Sequence, residues 1–226
     1  MLILAIDTST NVLSLALVRD KEVLATVNEK TKNNQSEILM SRIETITKES
    51  DLKPADLEKI IVAEGPGSYT GIRVGVAAAK SLGYALDIPV VGVSSLEVMA
   101  MASVPYGIRI PMIDARRETV FAGAYDHDGT TIIPNGHYKI EKVINKLAST
   151  SFRSDVISFI GDGAVFHKKT LREKWPEAQV VSESEFQRNK AEVLAALAVG
   201  RPAQQNIHIL VPNYLRRTEA EMNASV

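Results

Sequence analysis

Hydrophobic positions at the start of the chain come in short runs separated by polar turns. Leu2 to Ile6 is continuously apolar and stops at Asp7-Thr8-Ser9-Thr10, which predicts a buried strand ending in a polar turn. Val12 to Val18 predicts a second strand. Arg19-Asp20-Lys21 is a tight connection into a third, Glu22 to Asn28, where Val23, Ala25 and Val27 alternate with Leu24, Thr26 and Asn28. Three strands joined by such short turns form an antiparallel meander. The period then changes. Ile38, Leu39, Ile43 and Ile46 recur at helical spacing within Gln35 to Ser50, and Pro54 suits a first helical turn. Ile60-Ile61-Val62-Ala63 predicts a buried strand running into Gly65-Pro66-Gly67. A helix rich in small residues follows over 70–86, with Gly71, Gly75, Ala77, Ala78, Ala79 and Gly83. A strand over 89–93 and a helix over 96–102 complete the order βββαβαβα.

The second half repeats the plan. Ile110 to Ile113 predicts a strand ending at Asp114, and Thr119 to Tyr125 another, closed by the turn Asp126-His127-Asp128-Gly129. Helices are expected at 140–147 and 165–175, with a strand over 156–160 between them, and a last helix over 185–199. Two echoes point to a duplication. Ile6-Asp7 … Val18-Arg19-Asp20 matches Ile113-Asp114 … Tyr125-Asp126, and the strand before Gly65-Pro66-Gly67 matches the strand before Gly161-Asp162-Gly163. The expected fold class is therefore α/β, two lobes of βββαβα with a mixed sheet in each, divided into 1–104 and 105–226. Pro105 and Gly107 interrupt the pattern at that boundary. The tail after Glu219 is expected to fray.

Composition narrows the chemistry. The chain has 226 residues, 45% hydrophobic and 23% charged, with a formal net charge of −1. That supports a sizeable core and argues against a free-standing nucleic-acid binder, which is usually basic. There is no cysteine, so disulfides, thiolate metal sites and a cysteine nucleophile are excluded. No apolar run has transmembrane length, and the N-terminal run is too short and lacks the basic start of a signal peptide, so a cytoplasmic protein without membrane contact is expected.

Three places could carry chemistry. The run Gly65-Pro66-Gly67-Ser68-Tyr69-Thr70-Gly71-Ile72-Arg73-Val74-Gly75 lies between a strand and a helix. Its glycines and free N–H groups suit an anion, and they equally suit a turn that seats the helix close to the sheet. It is neither a Walker A loop nor G-x-G-x-x-G. Asp7-Thr8-Ser9 offers a carboxylate and two hydroxyls at a strand end, fit for metal-bound phosphate or for an Asx-type turn. Asp114-Ala115-Arg116-Arg117-Glu118, with Gly161 and Gly163, is the corresponding place in the second lobe. The four histidines, His127, His137, His167 and His208, are scattered and offer no i, i+4 metal pair. No G-x-S-x-G elbow is present. Lys168-Lys169 and Arg216-Arg217 make only weak basic patches.

Taken in order, these segments resemble the actin-like ATPase superfamily, whose lobes have a ribonuclease H-like fold. More narrowly they resemble the TsaB, or YeaZ-type, family of bacterial tRNA threonylcarbamoyladenosine synthesis. The carriers are Ala5-Ile6-Asp7-Thr8-Ser9, Gly65 to Gly75, Val91-Gly92-Val93-Ser94-Ser95-Leu96, Ile113-Asp114-Ala115-Arg116 and Pro212-Asn213-Tyr214-Leu215-Arg216. The resemblance implies a non-catalytic subunit. It would pair with the related TsaD, be joined by the small ATPase TsaE, and support transfer of threonylcarbamoyl to N6 of adenosine 37 in tRNAs reading codons that begin with A. TsaD carries H-x-x-x-H metal ligands where Ser95 and Met99 stand here, so no metal ligand is expected in this chain. ATP and metal would be used by the partners, none would be bound by this chain alone, and tRNA would be met through the complex. A vestigial phosphate cradle is expected at Asp7, Thr8, Ser9, Gly65, Gly67, Ser68, Asp114, Gly161 and Gly163. A partner interface is expected at Leu39, Ile43, Ile46, Gly71, Arg73, Val74, Gly75, Ala78 and Leu82, serving TsaD or, in its absence, a second copy. The competing expectation is an ATP-binding phosphotransferase that positions Mg-ATP with Asp7 and Asp114.

Overall fold

The computed structural model describes residues 1–31, 34–104, 106–149, 156–199, 201–202 and 207–215. Pro105, Arg216-Arg217 and the tail after Glu219 lie outside the described residues. The chain forms two compact units. One comprises Met1–Val98 with Arg188–Asn213, the other Met99–Gln187 with Tyr214–Val226. The expected single cut at residue 104 is thereby corrected, because the C-terminal segment returns to the first unit.

The first unit contains β1 (Leu2–Asp7), β2 (Val12–Arg19), β3 (Glu22–Lys30), α1 (Gln35–Glu49), β4 (Lys59–Gly65), α2 (Tyr69–Leu86), β5 (Val90–Ser94) and the start of α3 (Ser95–Ser103). Pro54 opens a single 3-10 turn, Pro54–Asp56, rather than a longer helix. The sheet order is β3-β2-β1-β4-β5. β1 runs antiparallel to β2 and parallel to β4. Alternation along each strand decides the layers. Leu2, Leu4, Ile6, Leu13, Leu15, Leu17, Ile60 and Val62 face α1 and α2. Ile3, Ala5, Ala16, Ile61 and Ala63 face the other way, onto α7 (Lys190–Leu197). That second face is rich in alanine on both sides, with Ala191, Ala195 and Ala198 from the C-terminal segment, so α7 can sit close to the sheet.

The second unit contains β6 (Ile108–Asp114), β7 (Thr119–Tyr125), β8 (Thr131–Lys139), α4 (Ile140–Ala148), β9 (Ile157–Ile160), α5 (Asp162–Phe166), α6 (Lys168–Lys174) and β10 (Gln179–Val181). Its sheet order, β8-β7-β6-β9-β10, has the same connectivity and the same parallel and antiparallel pairs as the first. The duplication expected from the two echoes is therefore present, strand for strand.

Besides the short strand β10, which the sequence pattern does not predict, three elements differ from expectation. β8 carries Pro134 and Gly136, which break the alternation; an edge strand with register shifts opposite Ala122 and Ala124 accommodates both. The helix expected over 165–175 is two short helices meeting at His167. The last helix begins only at Lys190, because the Asn189 side chain accepts the Ala191 N–H as its N-cap, 2.7 Å away. Among the described residues no helix is long and apolar enough to cross a membrane.

Candidate functional site

The end of β1 is the point where the first unit's motifs converge. The strand's period of two sends Thr8 toward α2 and Asp7 toward α7, on opposite faces of the same sheet. On the α2 side the glycine run closes directly onto the strand end. A Cβ at Gly67 would come inside 3.0 Å of the Ser9 carbonyl oxygen, one at Gly71 inside 3.0 Å of the Thr8 carbonyl oxygen, and one at Gly75 inside 3.0 Å of Thr8 Oγ1. Real Cβ atoms essentially never approach that closely. Thr8 Oγ1 donates to the Gly71 carbonyl at 2.7 Å, the Ser68 N–H donates to the Ser9 carbonyl at 2.7 Å, and Ser68 Oγ caps α2 by accepting from the Gly71 N–H at 3.2 Å. Gly65 is left-handed, at φ 115°, and leaves room for the Asn213 carbonyl, while the Asn213 N–H donates to the Glu64 carbonyl at 2.7 Å. The run thus serves close helix–sheet seating. At Gly65 and Gly67, two of the residues expected in a phosphate cradle, the Cβ side is filled by this chain's own backbone, while Ser68 lines an open polar cleft.

On the α7 side Asp7 is fully buried, as are Thr8 and Ser9. Asp7 Oδ1 accepts from the Ser9 N–H at 2.8 Å and from Ser9 Oγ at 2.6 Å, an Asx turn. Asp7 Oδ2 has no hydrogen-bond partner among the described residues and lies 3.6 Å from Lys190 Nζ, itself only 3% exposed. Lys190 also donates to Thr10 Oγ1 at 2.9 Å. The Asp7-Thr8-Ser9 cradle is therefore sealed by internal bonds rather than presented to a ligand. Lys190 escaped the sequence analysis. The available signal was a lysine opening the segment Ala191–Ala198, which is apolar but for Glu192. Beside this corner, a polar cleft of about 460 Å³ is lined by Thr10, Asn11, Gln35, Ser68 and Val74 among others.

The second unit repeats the arrangement more loosely. A Cβ at Gly163 would stand 3.0 Å from the Asp114 nitrogen, and Gly161, at φ 98°, leaves room for the Met112 carbonyl. Asp114 is half-buried and accepts the Arg116 N–H at 3.0 Å. Asp162 Oδ1 accepts the Asp114 N–H at 3.1 Å and the Gly163 N–H at 2.7 Å. Desolvation pushes the Asp162 carboxyl above the usual aspartate range, opposed by those two N–H donors and reinforced by the charges of Asp114 and Glu183. Gly161 and Gly163 serve close packing here too, with Met112 and Asp114 against their Cβ sides.

The helix residues expected at an interface fall into two groups. Leu39, Ile43 and Ile46 are core, at 1%, 4% and 2% exposure, covering their own sheet. Gly71 and Gly75 are buried against Thr8. These five are corrected: they are occupied within the unit. Arg73 is exposed, and Val74, Ala78 and Leu82 are half-buried. With Ala77, Ser81 and Tyr84 they form an outward stripe on the 18-residue α2. Arg73 stacks over the Tyr69 ring at 5.2 Å, and Leu210, Val211 and Pro212 flank the stripe on one side. Ser95 and Met99 are both buried on α3, and Ser95 Oγ has no partner among the described residues. The described side-chain groups able to gather round a metal reduce to the exposed turn Asp126-His127-Asp128.

Comparison with known proteins follows the same lines. The family model described as "TsaD: tRNA N6-adenosine threonylcarbamoyltransferase" matches residues 22–224. A protein of Bacillus subtilis (strain 168), named tRNA threonylcarbamoyladenosine biosynthesis protein TsaB, is 35% identical over 98% of this chain and 96% of its own. The equally named protein of Escherichia coli (strain K12) is 32% identical over 57% of this chain and 56% of its own. Among solved structures, YeaZ from Pseudomonas aeruginosa aligns with a TM-score of 0.74 at 23% identity, covering 95% of this chain and 99% of that one.

Proposed function

The chain belongs to the TsaB (YeaZ-type) family of tRNA threonylcarbamoyladenosine biosynthesis proteins, and from that premise we propose that it acts as a non-catalytic partner subunit whose working surface is the outward stripe of α2. In this reading it pairs with TsaD through that stripe, or with a second copy of itself when TsaD is absent, and TsaE joins the pair. The complex then attaches threonylcarbamoyl to N6 of adenosine 37 in tRNA. ATP and metal are handled by the partners, and the cytoplasm is where the reaction runs.

The observation that carries the reading is the two-sidedness of α2. Its inward glycines bring the helix into near-contact with β1, which fixes its position rigidly. Its outward side, from Arg73 and Val74 through Ala77 and Ala78 to Ser81 and Leu82, is left with small or half-covered side chains. Small side chains let a second helix approach closely. Exposed aromatic and basic groups at its two ends, Tyr69 at 55%, Tyr84 at 76% and Arg73, are of the types enriched at interfaces. The competing phosphotransferase reading needs an accessible carboxylate at the end of β1, and Asp7 is fully buried beneath Lys190. Sedimentation of the chain with and without TsaD tests the proposal. A heterodimer lost in the Arg73→Glu/Ala77→Glu variant supports it; one that survives this variant assigns the interface elsewhere.

A further inference from the structure

Actin-like folds hold Mg²⁺ and nucleotide near the carboxylate that ends the first strand, so the residues around Asp7 can be tested for that fit. They do not fit. A Mg²⁺ site needs near-octahedral oxygen ligation with several waters retained. Here Oδ1 is taken by the Ser9 N–H and hydroxyl, and the Thr8 hydroxyl points to the opposite face of the sheet, where it donates to the Gly71 carbonyl. One carboxylate oxygen remains, Oδ2, and an ammonium stands 3.6 Å from it. Both partners are more than nine-tenths buried.

We propose that Lys190 is the resident cation of this corner: its ammonium supplies the positive charge that Asp7 would otherwise take from a divalent metal, and so closes the first unit to metal-bound phosphate. A carboxylate with no exposure must be compensated or become neutral. Oδ2 has no hydrogen-bond donor among the described residues, so Lys190 supplies its compensating charge. The geometry also explains how α7 reaches it. Ala5, Ala16 and Ala63 on the sheet meet Ala191, Ala195 and Ala198, and this lowers α7 toward the strand end. Asn189 starts the helix and donates through Nδ2 to the Val27 carbonyl at 3.1 Å, which fixes the helix's first turn over β3. Thr10 Oγ1 accepts a Lys190 N–H, so the ammonium is held at a defined point rather than along a flexible arc. The inference concerns the isolated chain and stands apart from the partner role of α2.

The test uses Mn²⁺ as probe on the full-length chain. In the wild type, paramagnetic broadening of the Ser9 and Thr10 amide signals is expected to be absent; broadening there overturns the proposal without need of any variant. Lys190→Met removes the charge, and Lys190→Gln removes it while keeping a donor for Thr10. Whichever of the two folds is expected to bind Mn²⁺ at least about tenfold more tightly than wild type, because an unscreened like charge at short range is gone. Asp7→Asn in the same background is expected to abolish the gain, and Lys190→Arg to show none. A folded charge-removed variant that binds Mn²⁺ no better than wild type contradicts the inference. So does a gain that survives Asp7→Asn.

Discussion

The two units share one topology and differ in how they are filled. In the first, α1 and α2 run 15 and 18 residues, and the strand-end carboxylate is fully buried beneath a lysine. In the second, the corresponding α4 runs 9 residues, α5 and α6 only 5 and 7, and Asp114 stays half-buried. At the helix starts the glycine contact differs too: a Cβ at Gly71 would overlap backbone in the first unit and one at Gly163 would be merely tight in the second, although one at Gly161 would overlap the Met112 carbonyl. A duplicated fold has thus been tightened in one copy and trimmed in the other. The tightened copy is the one with a long, firmly seated helix whose outer side leaves Arg73, Ala77, Ser81 and Tyr84 exposed and Val74, Ala78 and Leu82 only half-covered by its own core.

The sharpest way to break this comparison is to add atoms where the first unit is closest. Gly71→Val is expected to cost at least about 3 kcal/mol, at the upper end of overpacking penalties, because the obstacle is the Thr8 carbonyl and not a flexible side chain. Gly163→Ala in the second unit is expected to cost about 1 kcal/mol. Urea unfolding measures both, and equal losses would mean that α2 and α5 are seated alike. Next, Leu39→Ala should cost about 2–3 kcal/mol, since that side chain is core rather than interface. A loss of association without loss of stability would reverse that assignment.

A smaller effect is the pH dependence of Asp162, at the start of α5. Desolvation raises the folded-state pKa of Asp162, so folding favours its protonated form. Its contribution is complete below the unfolded aspartate value near about 3.9 and is lost as pH rises through the raised folded value. Asp162→Asn keeps an oxygen for the Asp114 and Gly163 N–H groups and removes the charge. The variant is expected to gain on wild type between pH 4 and 7, by less than about 1 kcal/mol because the side chain still reaches solvent. Unfolding at the two pH values reads the difference; a variant that loses ground at neutral pH would mean the charge is useful there. Smallest of all, Arg73→Glu/Ala77→Glu should change stability by less than about 0.5 kcal/mol, as exposed substitutions usually do, and an unaltered urea midpoint checks this.

The strand runs were legible because a period of two and short polar turns leave few alternatives: β1 to β5 and the duplication both follow from them. What was missed has specific causes. β8 hides behind Pro134 and Gly136, which only an edge position tolerates. Glycines at 65–75 read equally as anion cradle or packing device, and the choice depends on what lies opposite; that turned out to be Thr8 and Ser9, more than fifty residues earlier. Leu39, Ile43 and Ile46 form one apolar stripe that can face a sheet or a partner, and local spacing is identical in both cases. Lys190 was invisible because its partner lies 183 positions away at Asp7, which no local pattern connects.

The central claim is that the chain works through the outer side of α2 and not through the strand-end carboxylate. Reconstituted modification of tRNA with TsaD, TsaE and ATP tests it, by counting threonylcarbamoyl-adenosine formed. With Arg73→Glu/Ala77→Glu the product is expected to fall to the level seen without this chain, whereas Asp7→Asn/Lys190→Met, which removes both buried charges together, is expected to leave it unchanged. Full product from the helix variant, or its loss in a folded Asp7→Asn/Lys190→Met chain, would contradict the account.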